Sequence, residues 1–164
     1  MAQLSSSILG LLNDQFAHEK QNQLRYAALA TSADFFGLNG TAAFFRKESE
    51  GEAAHAQAVY DFINLRNEHV NCQIDQIESM PDDFYSYFDV AMAIELDTTE
   101  RLKYLATAAS QEGDLQTFFW ASDLIQEQSA EENEYRTILD RMTLCGKTPD
   151  LIHHYDQWIG KLNG

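Results

Sequence analysis

Apolar residues recur along this chain at alternating spacings of three and four, the period of an amphipathic α-helix. Four long segments show this pattern, and capping or breaking residues bound each of them. The predicted helices cover about residues 5–36, 41–67, 81–113 and 114–145, with Pro81 and two acids opening the third. A short fifth helix is predicted over about residues 149–162. The fold class is therefore all-α.

The lengths of the connections indicate how these helices are arranged. Helices one and two, and helices three and four, are joined by a few residues, which predicts two antiparallel hairpins. Segment 68–81 between helices two and three could span about 45 Å when extended, whereas helix two would be about 40 Å long. The segment can therefore return along the whole helix. We predict a four-helix bundle over about residues 5–145 with one long crossover, followed by the short fifth helix.

Composition and charge restrict the classes of protein that this chain can represent. Its 164 residues suit one domain covering residues 1–164, and its formal net charge of -15 argues against partners such as nucleic acid or an anionic membrane surface. No apolar run is long enough to span a membrane, and the N-terminus does not resemble a signal peptide. Cys72 and Cys145 lack metal-type spacing, which favours a reduced, cytoplasmic protein.

Each of the four predicted helices carries glutamate in the middle of its apolar stripe. These residues are Glu19, Glu52, Glu95, and the pair Glu127 and Glu131, and helix two adds His55. Burying one unpaired carboxylate costs several kcal/mol, and four together would also repel one another. Two divalent cations would balance Glu19, Glu52, Glu95 and Glu131. Oxygen ligands with one imidazole suit Fe(II) or Mn(II).

The spacing of Glu52 and His55 strengthens the prediction of a metal site. Residues three apart share a helix face, so both side chains can reach the same ion. Glu-x-x-His alone is a weak pattern, since it occurs by chance on many solvated helices. Three further mid-helix glutamates at the same level of the bundle favour the metal site over that ordinary interpretation.

The chain resembles the bacterial non-haem ferritins over essentially its whole length. The resemblance lies in the helix lengths and in the crossover. It also lies in short segments, namely residues 12–15 followed by Glu19 and Tyr26, residues 42–46 followed by Glu52 and His55, the single residue Glu95, residues 127–131, and residues 146–147. It implies a ferritin-like fold in which Glu19, Glu52 and His55 hold one iron and Glu52, Glu95 and Glu131 hold a second, with Glu52 as the bridge. It also implies that Tyr26 lies beside the first iron and Gln128 near the second.

Some residues distinguish the chain from related families or from the bacterial ferritins themselves. Helix four has no second Glu-x-x-His, and Ala53 stands where a haem-ligating methionine follows the metal glutamate in bacterioferritin, so no haem is expected. Gly51 and Ala130 occupy two positions that often carry glutamates of a third iron site. A third iron site of the usual kind is therefore in doubt. Glu48 and Glu127 are left as candidate accessory ligands, and their role could be limited to guiding iron onward.

Several other residues have an ordinary structural interpretation. His18 and His69 are expected at the surface, as are His153 and His154 on the exposed side of the last helix. Asp123 could line an iron path, but a solvated acid is the simpler interpretation. Tyr26 could serve packing alone, although its position seven residues after Glu19 favours a hydrogen bond to a metal ligand.

The functional prediction is a ferritin subunit with ferroxidase activity and two irons per subunit. It would oxidise Fe(II) to Fe(III) with O₂ or H₂O₂ and store a ferric mineral inside a homo-oligomeric cage, which the resemblance implies has 24 subunits. The apolar face of the fifth helix is expected to pack on the same helix of neighbouring subunits. Two alternatives stay open, a catalytically silent cage subunit and a diiron oxygenase acting on an organic substrate.

Overall fold

The computed structural model describes residues 4–162, which form five α-helices and one short 3-10 turn. The helices are α1 (Ser6–Phe35), α2 (Asn39–Leu65), α3 (Phe84–Glu112), α4 (Leu115–Cys145) and α5 (Ile152–Ile159), and the 3-10 turn is Pro149–Leu151. The all-helical prediction is confirmed, and the structure is consistent with a four-helix bundle followed by a short C-terminal helix. None of these helices is both long and apolar enough to cross a membrane.

Side-chain caps account for the starts of three helices. Ser5 accepts a hydrogen bond from the Ile8 amide at 3.1 Å, Asp83 accepts one from Ser86 at 2.9 Å, and Asp114 accepts one from Thr117 at 3.2 Å. The prediction that Pro81 opens α3 with acids in its first turn is wrong by one turn. Asp83 lies before that turn as the cap, because its carboxylate accepts the amide hydrogen bond that a helix start leaves unsatisfied.

The crossover runs along the outside of α1. Its Asn71 amide donates to Asn13 at 2.8 Å, and Arg25 of α1 donates to Glu78 at 3.1 Å. Further on, Ser32 contacts the carbonyl oxygen of Pro81. These contacts follow α1 from its first third to its last turn. The extended segment therefore returns the chain along the bundle, as its length predicted.

Two apolar clusters fill the bundle on either side of a central polar layer. One cluster centres on aromatic residues such as Tyr26, Phe44 and Phe88, together with Tyr155 and Ile159 of α5. The other contains Ile8, Leu12, Val59 and Leu105 among others. The glutamates of the four stripes lie between these clusters, so both flanking cores hold the polar layer in place.

The short helix α5 packs on its own bundle, and the expected contact of its apolar face with neighbouring subunits stays a prediction. Tyr155 and Ile159 are buried in the aromatic core, and the buried Asp156 accepts hydrogen bonds from the amides of Gly40 and Thr41 at 3.3 and 2.7 Å. A Cβ on Gly40 would collide with the Asp156 carbonyl oxygen. The cap supplied by Asp156 explains why α2 begins at Asn39 rather than at the predicted Thr41.

Candidate metal centre

Five side chains from four helices meet in the polar layer. Glu19 comes from α1, Glu52 and His55 from α2, Glu95 from α3 and Glu131 from α4. Glu19, Glu52 and Glu95 are at most 4% exposed, whereas His55 and Glu131 are about one third exposed. The stripes place these residues in the layer because each faces inward at the middle of its helix.

The distances bring four of the five residues around one point. Ligand atoms of Glu19, Glu52 and His55 all lie within 4.8 Å of one another. Nδ1 of His55 is 3.4 Å from Oε2 of Glu52, and Nε2 of His55 is 3.5 Å from Oε1 of Glu131. The imidazole therefore stands between the carboxylates of α2 and α4. The i, i+3 spacing puts Glu52 and His55 on the same side of the helix, as the sequence predicted.

Glu95 is held by two neutral side chains. The Tyr26 hydroxyl donates a hydrogen bond to its Oε1, and the Gln128 amide donates one to its Oε2. The family resemblance implied that both donors lie beside the metal centre. Tyr26 contacts Glu95, which was expected at the second iron, rather than Glu19 at the first. Its hydroxyl therefore orients a carboxylate of the neighbouring helix α3.

Glu19 has one oxygen bound and one oxygen without a hydrogen-bond partner. The Gln15 amide donates to Oε1 at 2.6 Å, whereas Oε2 is buried and accepts no hydrogen bond within residues 4–162. A buried oxygen of this kind costs free energy unless something binds it. A metal ion beside Glu52 and His55 would use that oxygen. The donor set of carboxylate oxygens and one imidazole fits iron.

The pKa values of these groups show that, without a cation, ionised carboxylates are unfavourable in the polar layer. Burial, followed by the neighbouring Glu52 charge, raises the pKa of Glu19 well above its usual value. Burial also raises the pKa values of Glu52 and Glu131, and raises that of Glu95 to about 8. The contact with Glu52 raises the pKa of His55 to about 9. A divalent cation would favour the ionised carboxylates and would displace the imidazole proton.

Two residues of this region were not predicted as site residues. Gln15 lies four residues before Glu19 on the same helix face, and that spacing could have revealed it. Tyr135 is fully buried, stacks on Tyr26 with ring centroids 6.4 Å apart, and donates its hydroxyl to Glu48 at 2.9 Å. Its position four residues after Glu131 was an equally readable signal.

An open cavity of about 460 Å³ lies next to the centre, and Glu48 is the accessory candidate that lines it. The cavity is lined by residues of α2, α3 and α4, namely Lys47, Glu48, Glu50, Gly51, Glu52, His55, Glu95, Glu131 and Glu134. Burial raises the pKa of Glu48 to about 7, against the opposing effect of the Tyr135 hydroxyl. Glu127 does not line this cavity and is exposed. The structure therefore separates Glu48 from Glu127, the two residues paired as accessory candidates in the sequence.

His18 is buried, which contradicts its expected surface position. Its Nε2 lies 2.8 Å from the Thr98 hydroxyl and 3.0 Å from the Asn22 amide. Burial, followed by the Arg101 charge, lowers the pKa of His18 to about 4, so the neutral imidazole is favoured. The prediction is wrong because α3 packs against this side of α1 and supplies a polar partner. His69, His153 and His154 are exposed as expected, and so is Asp123.

Comparison with known proteins places this helical arrangement in a family. A model of the ferritin-like domain matches residues 9–145. The bacterial non-heme ferritin of Staphylococcus aureus (strain USA300) is 28% identical over 160 residues, covering 96% of this chain and 95% of that protein. The bacterial non-heme ferritin of Staphylococcus haemolyticus (strain JCSC1435) is 29% identical over 157 residues, covering 94% and 93%.

A solved structure shows the same likeness in three dimensions. The open pore ferritin from the hyperthermophilic archaeon Archaeoglobus fulgidus matches with a TM-score of 0.91 and 25% identity, over 98% of both chains. Residues 9–145, which the family model matches, include all five side chains that meet in the polar layer. The chain therefore belongs to the ferritin family, and this membership supports a role in iron storage.

Proposed function

We propose that this chain is a ferroxidase subunit that oxidises Fe(II) at a dinuclear site formed by Glu19, Glu52, His55, Glu95 and Glu131. The observation that carries the proposal is the buried, partnerless Oε2 of Glu19 beside Glu52 and His55. Glu19, Glu52 and His55 would bind one Fe(II), and Glu52, Glu95 and Glu131 would bind the other. Glu52 would bridge the two ions.

The residues around the ligands would fix the geometry of that site. Gln15 holds Oε1 of Glu19 and leaves Oε2 for the metal. Tyr26 and Gln128 each bind one oxygen of Glu95, so the carboxylate cannot rotate freely. In the reaction, two Fe(II) ions each give one electron to O₂, which takes up two protons and forms H₂O₂. Carboxylate ligands favour this oxidation because they stabilise Fe(III) more than Fe(II).

The cavity beside the metal centre favours iron over an organic substrate. The open cavity is lined mainly by glutamates, which attract cations. We propose that Fe(III) leaves through this cavity and is stored as mineral inside a cage, with 24 subunits as the family resemblance implies. The cytoplasmic location expected from the sequence stays a prediction.

The test is aerobic Fe(II) oxidation by the purified metal-free protein. We expect a fast phase that saturates at two irons per subunit, and Glu52→Ala should abolish it because this change removes the only ligand shared by both ions. Asp61→Ala, which removes an exposed acid of the same helix that does not line the open cavity, is the matched control and should keep the fast phase. Slow oxidation by the wild-type protein, equal to that in buffer, would identify a silent cage subunit instead. A small assembly in light scattering would contradict the cage.

A further inference from the structure

A cleft of about 480 Å³ lies between the end of α4 and the short helix α5. The residues that line this α4–α5 cleft are Arg141, Cys145, Leu151, His154, Tyr155, Gln157, Trp158 and Lys161. None of them lines the open cavity beside the metal centre. Small-molecule sites in proteins have volumes of about 300–1,000 Å³, so the cleft is large enough to be one.

The charge of the α4–α5 cleft is opposite to that of the whole chain. The chain has 11 basic residues against 26 acidic ones, yet the described lining of the cleft includes Arg141 and Lys161 and no carboxylate. Asp156, the one acid within α5, instead accepts hydrogen bonds from the amides of Gly40 and Thr41 at the start of α2. Because most of this acidic chain repels anions, an anion that binds it needs a local basic site of this kind.

Arg141 is well placed to bind such an anion. Its guanidinium carbon lies over the ring of Trp158, 4.2 Å from the ring centroid. The other five arginines of the chain each form an ion pair with an aspartate or a glutamate, whereas Arg141 forms none within residues 4–162. A guanidinium held over an aromatic ring keeps N–H donors at its edge, where they can bind a phosphate or a carboxylate.

Apolar side chains form the rest of the cleft wall. Leu151 and Trp158 are half-buried, and Tyr155 is 4% exposed. The Tyr155 hydroxyl donates to the carbonyl oxygen of Gly146 at 2.8 Å, so the connection between α4 and α5 holds this wall in place. A flat aromatic ring gains most from covering such a surface. The cleft therefore combines a basic edge with a wall that suits a ring.

We propose that the α4–α5 cleft binds a mononucleotide, a ligand that joins a planar aromatic ring to a phosphate group. Arg141 and Lys161 would bind the phosphate, whose charge of about −1.5 to −2 near pH 7 two cations balance. The ring would cover Leu151 and Trp158. This inference goes beyond the proposed ferroxidase function and does not rest on it, because no residue of the cleft is a proposed iron ligand.

The test uses the assembled wild-type protein without metal, because iron would itself bind phosphate. Equilibrium dialysis would compare flavin mononucleotide with riboflavin, and adenosine 5′-monophosphate with adenosine. We expect a mononucleotide to bind once per subunit and about tenfold more tightly than its phosphate-free partner. The mononucleotide that binds more tightly identifies the ring as a flavin or a purine. The inference would be overturned if neither bound, as when neighbouring subunits cover the cleft, or if the phosphate made no difference.

A substitution and a chemical probe locate the bound ligand. Arg141→Gln should weaken binding about tenfold. Arg136→Gln is the matched control, because it removes an exposed arginine of the same helix that pairs with Glu132 and does not line the cleft. Bound ligand should also slow the alkylation of Cys145, which lines the cleft, but not that of Cys72 on the crossover. Unchanged affinity in Arg141→Gln, or binding that leaves Cys145 unprotected, would show that the cleft is not the site.

Discussion

Most carboxylates of the polar layer have a defined neutral partner, and the pairing differs from one glutamate to the next. Glu95 is bound at both oxygens, Glu19 at one, and Glu48 by the hydroxyl of Tyr135. Neutral donors hold a carboxylate in place without neutralising it, so the charge stays available for a cation. At the scale of single residues, the amide and hydroxyl donors therefore matter as much as the ligands themselves.

Because Tyr135 donates a hydrogen bond to Glu48, we predict that its replacement lowers the stability of the protein by an amount that depends on pH. The pKa of Glu48 is about 7 in the folded protein, against 4.5 as its ordinary value, so folding becomes less favourable as the pH rises towards 7. Tyr135→Phe keeps the ring but removes a donor that stabilises the ionised carboxylate. We expect the free energy of unfolding of the metal-free protein to fall by about 1 kcal/mol near pH 5.5 and by about 2 kcal/mol near pH 8.

Urea denaturation at both pH values would measure this difference. Tyr155→Phe is the matched control, because the Tyr155 hydroxyl donates to the backbone carbonyl of Gly146 at 2.8 Å rather than to a carboxylate. Its loss of stability should be about the same at both pH values. An equal loss at both values for Tyr135→Phe would show that Glu48 does not depend on this hydroxyl.

At the scale of helices, the sequence predicted the features that depend on local patterning. It missed the features that depend on contacts between residues far apart in the chain. Three-four periodicity and capping residues located all five helices, because both act within a few residues. The start of α2 and the packing of α5 on its own bundle were missed, since both depend on Asp156 reaching residues more than a hundred positions away. The burial of His18 was missed for the same reason, because it requires Thr98 on α3.

Asp156 acts as a cap for a helix to which it does not belong, and its replacement tests this role. In Asp156→Asn, one carboxylate oxygen that accepts from Gly40 or Thr41 becomes an amide donor facing another donor. We expect a loss of about 1–2 kcal/mol in the free energy of unfolding. Asp83→Asn is the control, since an exposed asparagine caps α3 about as well as aspartate. Equal losses in the two variants would contradict the special role of Asp156.

An ion pair between the buried Arg66 and the partly buried Asp114 joins the end of α2 to the start of α4. Arg66 is 4% exposed, and its Nη1 donates to both carboxylate oxygens of Asp114 at 3.0 Å. Asp114→Ala removes this partner and the α4 cap together, so we expect a loss of about 3 kcal/mol or more. Asp34→Ala removes a comparable two-oxygen contact with Arg46 at the surface and should cost less than about 1 kcal/mol.

Thermal and urea unfolding would compare the two variants under identical conditions. Similar losses would mean that the burial of Arg66 does not set the strength of its ion pair. The sequence did not single out this arginine. A basic residue at a helix end is usually solvated, whereas here Asp114 and Thr117 at the start of α4 bind the guanidinium.

At the scale of the whole molecule, charge and apolar packing divide the bundle into functional regions. Two apolar cores enclose the polar layer, and the open cavity of that layer is lined mainly by carboxylates in a chain of net charge -15. The positions of the five predicted ligands followed from periodicity, because all five interrupt apolar stripes at one level. The open cavity could not be located from the sequence, since its lining combines residues of α2, α3 and α4 that only the folded bundle brings together.

Gly51 and Ala130 leave this region without the acids from which a third iron site is usually built. A metal needs several converging ligands, and Glu131 is already assigned to the second proposed iron. We therefore expect crystals soaked aerobically in Fe(II) to show two strongly occupied irons per subunit and a weak or displaced third. In the double variant Gly51→Glu/Ala130→Glu, a third iron should be well occupied on the α2–α4 side.

The structure can accept both substitutions. A Cβ on Gly51 would meet no atom within 4 Å, and Ala130 is exposed. Gly10→Glu is the matched control for the added charge and for the helix propensity gained on replacing glycine, because Gly10 is also helical and its Cβ would also be free of contacts. Anomalous scattering at the iron edge decides the outcome. A fully occupied third iron in the unmodified protein would show that other carboxylates, with Glu48 and Glu134 the nearest candidates, replace the missing ligands.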